Sequence, residues 1–303
     1  MIKQTRIILI SMLMAGSFIL AGCSTLREPR EPEPPPAVPV AAKRLPKLGL
    51  ALGGGAARGF AHVGVIQALE EAGIKADLVV GTSAGSLVAA LYASGRTSSQ
   101  LVQVSESMEE AAFTDWTLPF FSRGMLRGDA LGRYVNTQLQ GKLIEQMPMP
   151  LGIVATALQS GQGVLFQRGD AGMAVRASSA VPALFVPVKI GGQEFVDGGL
   201  VSPVPVRYAR QMGAELVIAV DISSAPEGNP SADTLQILMQ TFAIMGKSIN
   251  SHELREADIV VRPALAGVGG ADFAARRRSI DAGRVAMQRL IPQLKAAMEA
   301  KSH

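Results

Sequence analysis

The sequence predicts a three-layer α/β/α domain with a largely parallel central sheet. Three observations predict it. Short apolar runs alternate along the chain with stretches of helical spacing. Several of the runs are continuously apolar, as strands are when both faces of a sheet are covered. Two strand-to-helix junctions are glycine-rich, as tight turns between such elements require.

The elements follow in order. Residues 47–52 form a short apolar run before glycines, a first strand. Residues 59–72 have helical spacing through Val63, Ile66, Ala68 and Leu69, and Gly73 supplies a stop. Residues 77–80 read as a second strand and 84–93, rich in alanine, as a buried helix closed by Gly95. Strands are predicted at 151–156 and 164–167, and a helix at 171–180, stopping before Pro182. Residues 185–190 and 194–196 resemble a hairpin across Gly191-Gly192. A helix at 204–212, a strand at 216–221, a helix at 234–251, a strand at 259–262 and a helix at 279–298 complete the domain. Pro292 should kink or interrupt the last helix.

Composition narrows the function classes. The chain has 303 residues, is 48% hydrophobic and 18% charged, and carries a formal charge of +4. That is an ordinary globular composition with a substantial core. Aromatic residues make up only 5%, and Trp116 is the sole tryptophan, which argues against a nucleic-acid stacking surface. The densest basic run, Arg276-Arg277-Arg278, reads as a solvated face, with contact to anionic headgroups as the alternative.

The single cysteine excludes an internal disulfide, and its position explains it. Residues 1–22 read as an export signal: Lys3 and Arg6 precede an apolar stretch over 7–20, too short for a comfortable membrane span. The stretch ends in Leu20-Ala21-Gly22-Cys23, which resembles a bacterial lipobox. That resemblance implies diacylglycerol on Cys23, cleavage before it, and anchoring in the bacterial cell envelope. Ser24 points to the outer membrane. The alternative is an uncleaved anchor helix with an incidental cysteine. Residues 23–46 then form a linker with prolines at 29, 32, 34, 35, 36, 39 and 46, a polyproline-type spacer. Residues 47–303 are the expected folded domain.

Gly81-Thr82-Ser83-Ala84-Gly85 fits G-x-S-x-G between a predicted strand and a predicted helix. A chain that reverses so sharply leaves no room for side chains two positions either side of the serine, and it presents the hydroxyl at the positive end of a helix. An ordinary turn with Ser83 as N-cap is the competing reading. Upstream, Gly53-Gly54-Gly55-Ala56-Ala57-Arg58-Gly59 also links a strand to a helix. Read from Gly53 as a dinucleotide fingerprint, it has Arg58 where the third glycine belongs; read from Gly54 as a phosphate loop, it has Phe60 where lysine belongs. What remains is an anion hole for a nearby serine, with the amides of Gly54 and Gly55 as donors and Arg58 as a charge aid.

A serine hydroxyl needs a base. His303 is terminal and expected to be disordered, His62 reads as a packing or capping residue one turn into a helix, and His252 as solvent-facing. Asp197, directly after a strand and before Gly198-Gly199, is the better candidate, although Asp before Gly is also a common turn starter.

These pieces, together with Ala177-Ser178-Ser179-Ala180-Val181-Pro182-Ala183-Leu184-Phe185, resemble the patatin-like phospholipases, in particular the bacterial branch related to neuropathy target esterase. The resemblance covers about residues 48–210. It implies a Ser83–Asp197 dyad without histidine, an oxyanion hole at Gly54, Gly55 and Arg58, and hydrolysis of acyl esters in phospholipids or lysophospholipids without metal or other cofactor. Relatives often carry Asn where this chain has Ser202. Two other readings stay open: a Ser83–Asp–His252 triad of the α/β-hydrolase type, and a non-catalytic lipoprotein that binds lipid or a protein partner. Residues 113–121, with Trp116, Leu118, Phe120 and Phe121, are a candidate lid or membrane-contact loop, or packed core. The stretch 235–245 could line an acyl channel or lie in the core. The sequence does not set the oligomeric state.

Overall fold

Why the glycine-rich turns meet follows from the order of the strands. In the computed structural model, which describes residues 44–110, 115, 123–227 and 232–303, the elements are β1 (Leu48–Leu52), α1 (Phe60–Glu71), β2 (Leu78–Thr82), α2 (Ala84–Ala93), α3 (Ser98–Glu106), β3 (Gly124–Leu126), α4 (Asp129–Gln138), β4 (Leu151–Ala157), β5 (Gly163–Phe166), α5 (Ala171–Ser178), β6 (Ala183–Phe185), β7 (Val188–Ile190), β8 (Gln193–Asp197), α6 (Val206–Gln211), β9 (Leu216–Val220), α7 (Thr234–Glu253), β10 (Ile259–Val261) and α8 (Arg276–Ala300). The main sheet has the order β10-β9-β1-β2-β4-β8-β7, with β5 beside β4. The pairs from β10 to β4 are parallel, and β5, β8 and β7 join antiparallel. The expected three-layer fold with a largely parallel sheet is therefore what the chain adopts.

Side chains alternate across the central strands. Leu48, Leu50 and Leu52 of β1 and Leu216, Ile218 and Val220 of β9 join a core with α1, α2 and α8. Ala51, Val217 and Ala219 point the other way, into a second core with Val206, Tyr208 and Ala209 of α6. The strands are apolar at every position because both faces are covered.

Register does the decisive work at β4. Val154 pairs with Thr82 at the end of β2, and the next residue, Ala155, pairs with Asp197 at the end of β8. β5 occupies the opposite edge of β4 at the same residues, so β2 and β8 share one edge and meet end to end. Two chain segments more than a hundred residues apart are thus delivered to one point.

Several expectations change. Residues 183–185 pair with β3 in a separate small sheet, and the hairpin is confined to β7 and β8. Helix α8 starts at Arg276 and continues through Pro292; Met287 and Leu294, buried on either side of the proline, hold both halves in the core. His303 is ordered: its carbonyl accepts the Arg44 N–H at 2.7 Å and its own N–H donates to the Arg44 carbonyl at 3.2 Å. That pairing joins Arg44, in the expected linker, to the last residue of the sequence. The basic run is not simply a solvated face. The Arg276 guanidinium donates to the Ser105 and Glu106 carbonyls at 3.1 and 2.6 Å, and Arg277 pairs with the Glu106 carboxylate at 2.9 Å, so the run docks α8 on α3. Cys23, the signal segment, most of the linker and the apolar residues of the candidate lid lie outside the described residues.

Candidate active site

Ser83 ends β2 and opens α2 with φ +52° and ψ −124°, a conformation costly for a residue with a Cβ and found where function holds it. A Cβ on Gly81 would strike the Gly85 backbone, and one on Gly85 would strike the Leu52 carbonyl. Both glycines are required by close approach, as the sequence pattern predicts. The Ser83 N–H donates to Ser178 Oγ at 2.8 Å, and the Ser178 hydroxyl donates to the Val154 carbonyl at 2.5 Å. Ser178, at the end of α5, thereby ties the serine turn to β4. No local sequence pattern marks this role; only the fold brings the two serines together.

Asp197 is buried, with 7% of its surface exposed. Its Oδ1 accepts the Gly199 N–H at 2.6 Å, and its carbonyl accepts the Thr156 hydroxyl at 2.8 Å. Burial pushes its carboxyl up to about 6, against hydrogen bonds from the Gly199 amide and the Ser83 side chain that hold it down. The Asp197 carboxylate is therefore ionised at neutral pH yet more basic than an ordinary aspartate, and it lies within reach of the Ser83 hydroxyl.

The glycine turn lies alongside. A Cβ on Gly54 would sit 3.1 Å from Ser83 Cβ, so glycine here allows the two turns to touch. The Gly54 amide, however, donates to the Pro203 carbonyl at 2.9 Å. In this structure that N–H, expected as an oxyanion donor, is committed to a backbone carbonyl. The Gly55 N–H makes no hydrogen bond among the described residues. Arg58 is half-buried with its Nε unpartnered among the described residues, and desolvation lowers its pKa while Asp221 opposes the shift. It does not line the cavity described below.

His62 is fully buried. Its Nε2 lies 2.8 Å from the Gly53 carbonyl, and desolvation lowers its pKa to about 4. It supports the glycine turn from beneath as a neutral ring. His252 is exposed, and its Nδ1 contacts Ser251 Oγ and the Ser248 carbonyl on its own helix, both at 3.1 Å.

Ser83 opens on an apolar cavity of about 200 Å³. Leu87 and Leu91 of α2, Leu101 and Met108 on and after α3, Phe185 and Phe273 contribute to its wall. Stretch 235–245 on α7 neither lines this cavity nor lies in the core: Ile237 and Ile244 are each 54% exposed.

The strand–serine–helix turn on a mixed, mostly parallel sheet defines a class of α/β proteins built like serine hydrolases. Within that class, the chain belongs to the patatin-like phospholipase family, whose model matches residues 50–210. It is 36% identical over 200 residues to an uncharacterized NTE family protein of Mycobacterium tuberculosis, covering 66% of this chain and 55% of that one. It is 37% identical over 188 residues to patatin-like phospholipase domain-containing protein 6 of Homo sapiens, covering 59% of this chain and 14% of that protein. The chain thus spans about half the length of the mycobacterial relatives it matches and a small part of the mammalian one. Among solved structures, VipD from Legionella pneumophila superposes with a TM-score of 0.57 at 16% identity, over 82% of this chain and 67% of that one, a likeness of fold.

Proposed function

We propose that this chain is a serine acyl hydrolase that cleaves ester-linked acyl chains of phospholipids or lysophospholipids through Ser83 and Asp197. The observation that carries the reading is the meeting of a strained, cavity-facing Ser83 with a buried, basic Asp197, with no histidine hydrogen-bonded to either among the described residues. Asp197 takes the proton of Ser83 as Oγ attacks the acyl carbonyl. The Gly55 amide and the N-terminal end of α2 stabilise the oxyanion. The protonated Asp197 returns the proton to the departing alcohol, leaving an acyl-serine. Asp197 then removes a proton from water, which attacks the acyl carbonyl, and Ser83 recovers its proton as the fatty acid leaves. The acyl chain occupies the apolar cavity. The test is fatty acid release by the full chain in mixed micelles of phospholipid and detergent, with p-nitrophenyl esters alongside. A folded chain inert on all of them overturns the reading.

The cavity makes a specificity prediction. Met108 is buried in its wall. Met108→Trp is expected to depress turnover of long-chain p-nitrophenyl esters about tenfold relative to short ones, since filling an apolar pocket discriminates by roughly 1–3 kcal/mol. Met108→Leu serves as the volume-matched control. An unchanged chain-length profile would place the acyl group elsewhere.

We further propose that the chain is held at a bacterial envelope membrane, the outer membrane by the Ser24 reading, through lipid on Cys23. Support comes from Leu20-Ala21-Gly22-Cys23 and the proline-rich spacer that follows. Several acyl chains anchor stably where one does not. Cys23→Ser is expected to move the chain out of the membrane fraction and to remove the lipid mass from its N-terminal peptide. Retention in the membrane without that mass would point to an uncleaved helix instead.

A further inference from the structure

Two adjacent carbonyls hold both glycine-rich turns in place. The Ser202 carbonyl accepts the Thr82 hydroxyl at 2.9 Å, and the Pro203 carbonyl accepts the Gly54 N–H at 2.9 Å. Thr82 immediately precedes Ser83, and Gly54 faces its Cβ. The Ser202 N–H in turn donates to the Gly198 carbonyl at 2.9 Å, next to Asp197. The strap 202–203 therefore touches the serine turn, the glycine turn and the aspartate turn at once. Its position fixes how the three sit relative to one another.

The strap is gripped from behind. The Ser202 hydroxyl, fully buried, donates at 2.5 Å to Oε1 of Glu253, the last residue of α7. Glu253 is only 7% exposed. Its Oε2 is buried with no hydrogen-bond partner among the described residues, and the Arg207 Nε stands 3.6 Å from Oε1 on a half-exposed side chain. Burial raises the pKa of the Glu253 carboxyl, against the Ser202 hydroxyl and the charge and backbone N–H of Arg207, which hold it down; Glu256 adds to the rise. Burying a carboxyl with one oxygen left unpartnered is costly to the fold. The bond to the strap gives that cost a structural reason. Glu253 also lies outside residues 50–210, the span that the family model matches.

We propose that Glu253 is a positioning residue of the active site: through Ser202 it fixes the 202–203 strap, and through the strap it sets the glycine turn against Ser83. The inference rests on the reading of Ser83 as the nucleophile. Glu253 does not line the acyl cavity, so its effect falls on turnover and leaves substrate binding alone.

The experiment uses the full chain with Glu253→Ala, Glu253→Gln, Ser202→Ala and the double variant E253A/S202A. It measures kcat and KM on a p-nitrophenyl ester and amide hydrogen exchange of the peptide containing Gly54. Glu253→Ala is expected to lower kcat about tenfold or more, to leave KM within twofold, and to speed exchange at Gly54. Glu253→Gln, which keeps the acceptor oxygen, recovers most of the lost kcat. The double variant is no slower than E253A alone, because both changes cut the same bond. The proposal is overturned if E253A retains wild-type kcat, if its loss adds to that of S202A, or if Gly54 exchange does not change. Should E253A fail to fold, S202A decides alone: wild-type kcat and Gly54 exchange in that variant overturn the proposal. A folded wild type without hydrolysis would instead remove the enzyme reading, and the Gly54 exchange would still test the strap.

Discussion

Ser83→Ala is expected to abolish ester hydrolysis, lowering kcat by about four orders of magnitude or more, as loss of an acyl-transfer nucleophile does. Besides the nucleophile, the change removes the hydrogen bond of the Ser83 hydroxyl to the Asp197 carboxylate and leaves the backbone of the turn in place. Alanine keeps the Cβ that packs near Gly54, and its N–H still donates to Ser178 Oγ. The positive φ is strained for alanine as it is for serine. The variant should therefore melt near the wild type while losing turnover. His252→Ala, run in parallel, should keep kcat within about twofold, since that ring is exposed and its hydrogen bonds among the described residues are to its own helix. Initial rates on a p-nitrophenyl ester decide both. Substantial residual activity in Ser83→Ala would move the nucleophile elsewhere, and a large loss in His252→Ala would restore the triad reading.

What could be read from the sequence was local. Gly81 and Gly85 flank Ser83 because of clashes within a few residues and with the end of the neighbouring strand, so the pattern survives in one dimension. The parallel strands were legible because burial on both faces leaves continuous apolar runs. Asp197 stood out in the sequence through Gly198-Gly199, of which Gly198 lets the backbone pass close to β4. The rest depends on partners far along the chain. Gly54 has the right residue type for an oxyanion donor, but its N–H is taken by Pro203, some 150 positions away. Ser178 meets Ser83 only because α5 ends over β4. Residues 183–185 have strand character, and which strand they join is settled by β3, whose three residues are too short to register as a run. Pro292 breaks a helix in isolation; here the buried Met287 and Leu294 outweigh its missing N–H.

Asp197→Asn should separate the two demands placed on this residue. Asparagine keeps the shape and an oxygen to accept the Gly199 N–H, but it cannot take a proton. Turnover should fall on the order of 10³- to 10⁴-fold at pH 8, in line with loss of the acidic partner in other serine hydrolases. In the wild type, kcat/KM should rise with pH up to about 6 and then level, as the carboxylate that burial holds at that value ionises. Stability should run the other way. The carboxyl is raised from 3.8 unfolded to about 6 folded, so between those values the folded state binds more protons than the unfolded one. Wild-type stability therefore declines as pH rises through that window, by roughly 3 kcal/mol in all at 1.36 kcal/mol per unit, and stays reduced above it. Asparagine does not titrate. The Tm of Asp197→Asn relative to wild type should climb between pH 4 and 6 and hold constant from there to pH 8, where the wild type works best. A Tm difference that does not vary with pH would mean that Asp197 is not buried as a basic carboxylate, and an active, equally stable Asp197→Asn would end its candidacy as the base. Both observables trace to one cause: the desolvation that makes the carboxylate basic enough to deprotonate a serine is the same desolvation that destabilises the fold that holds it.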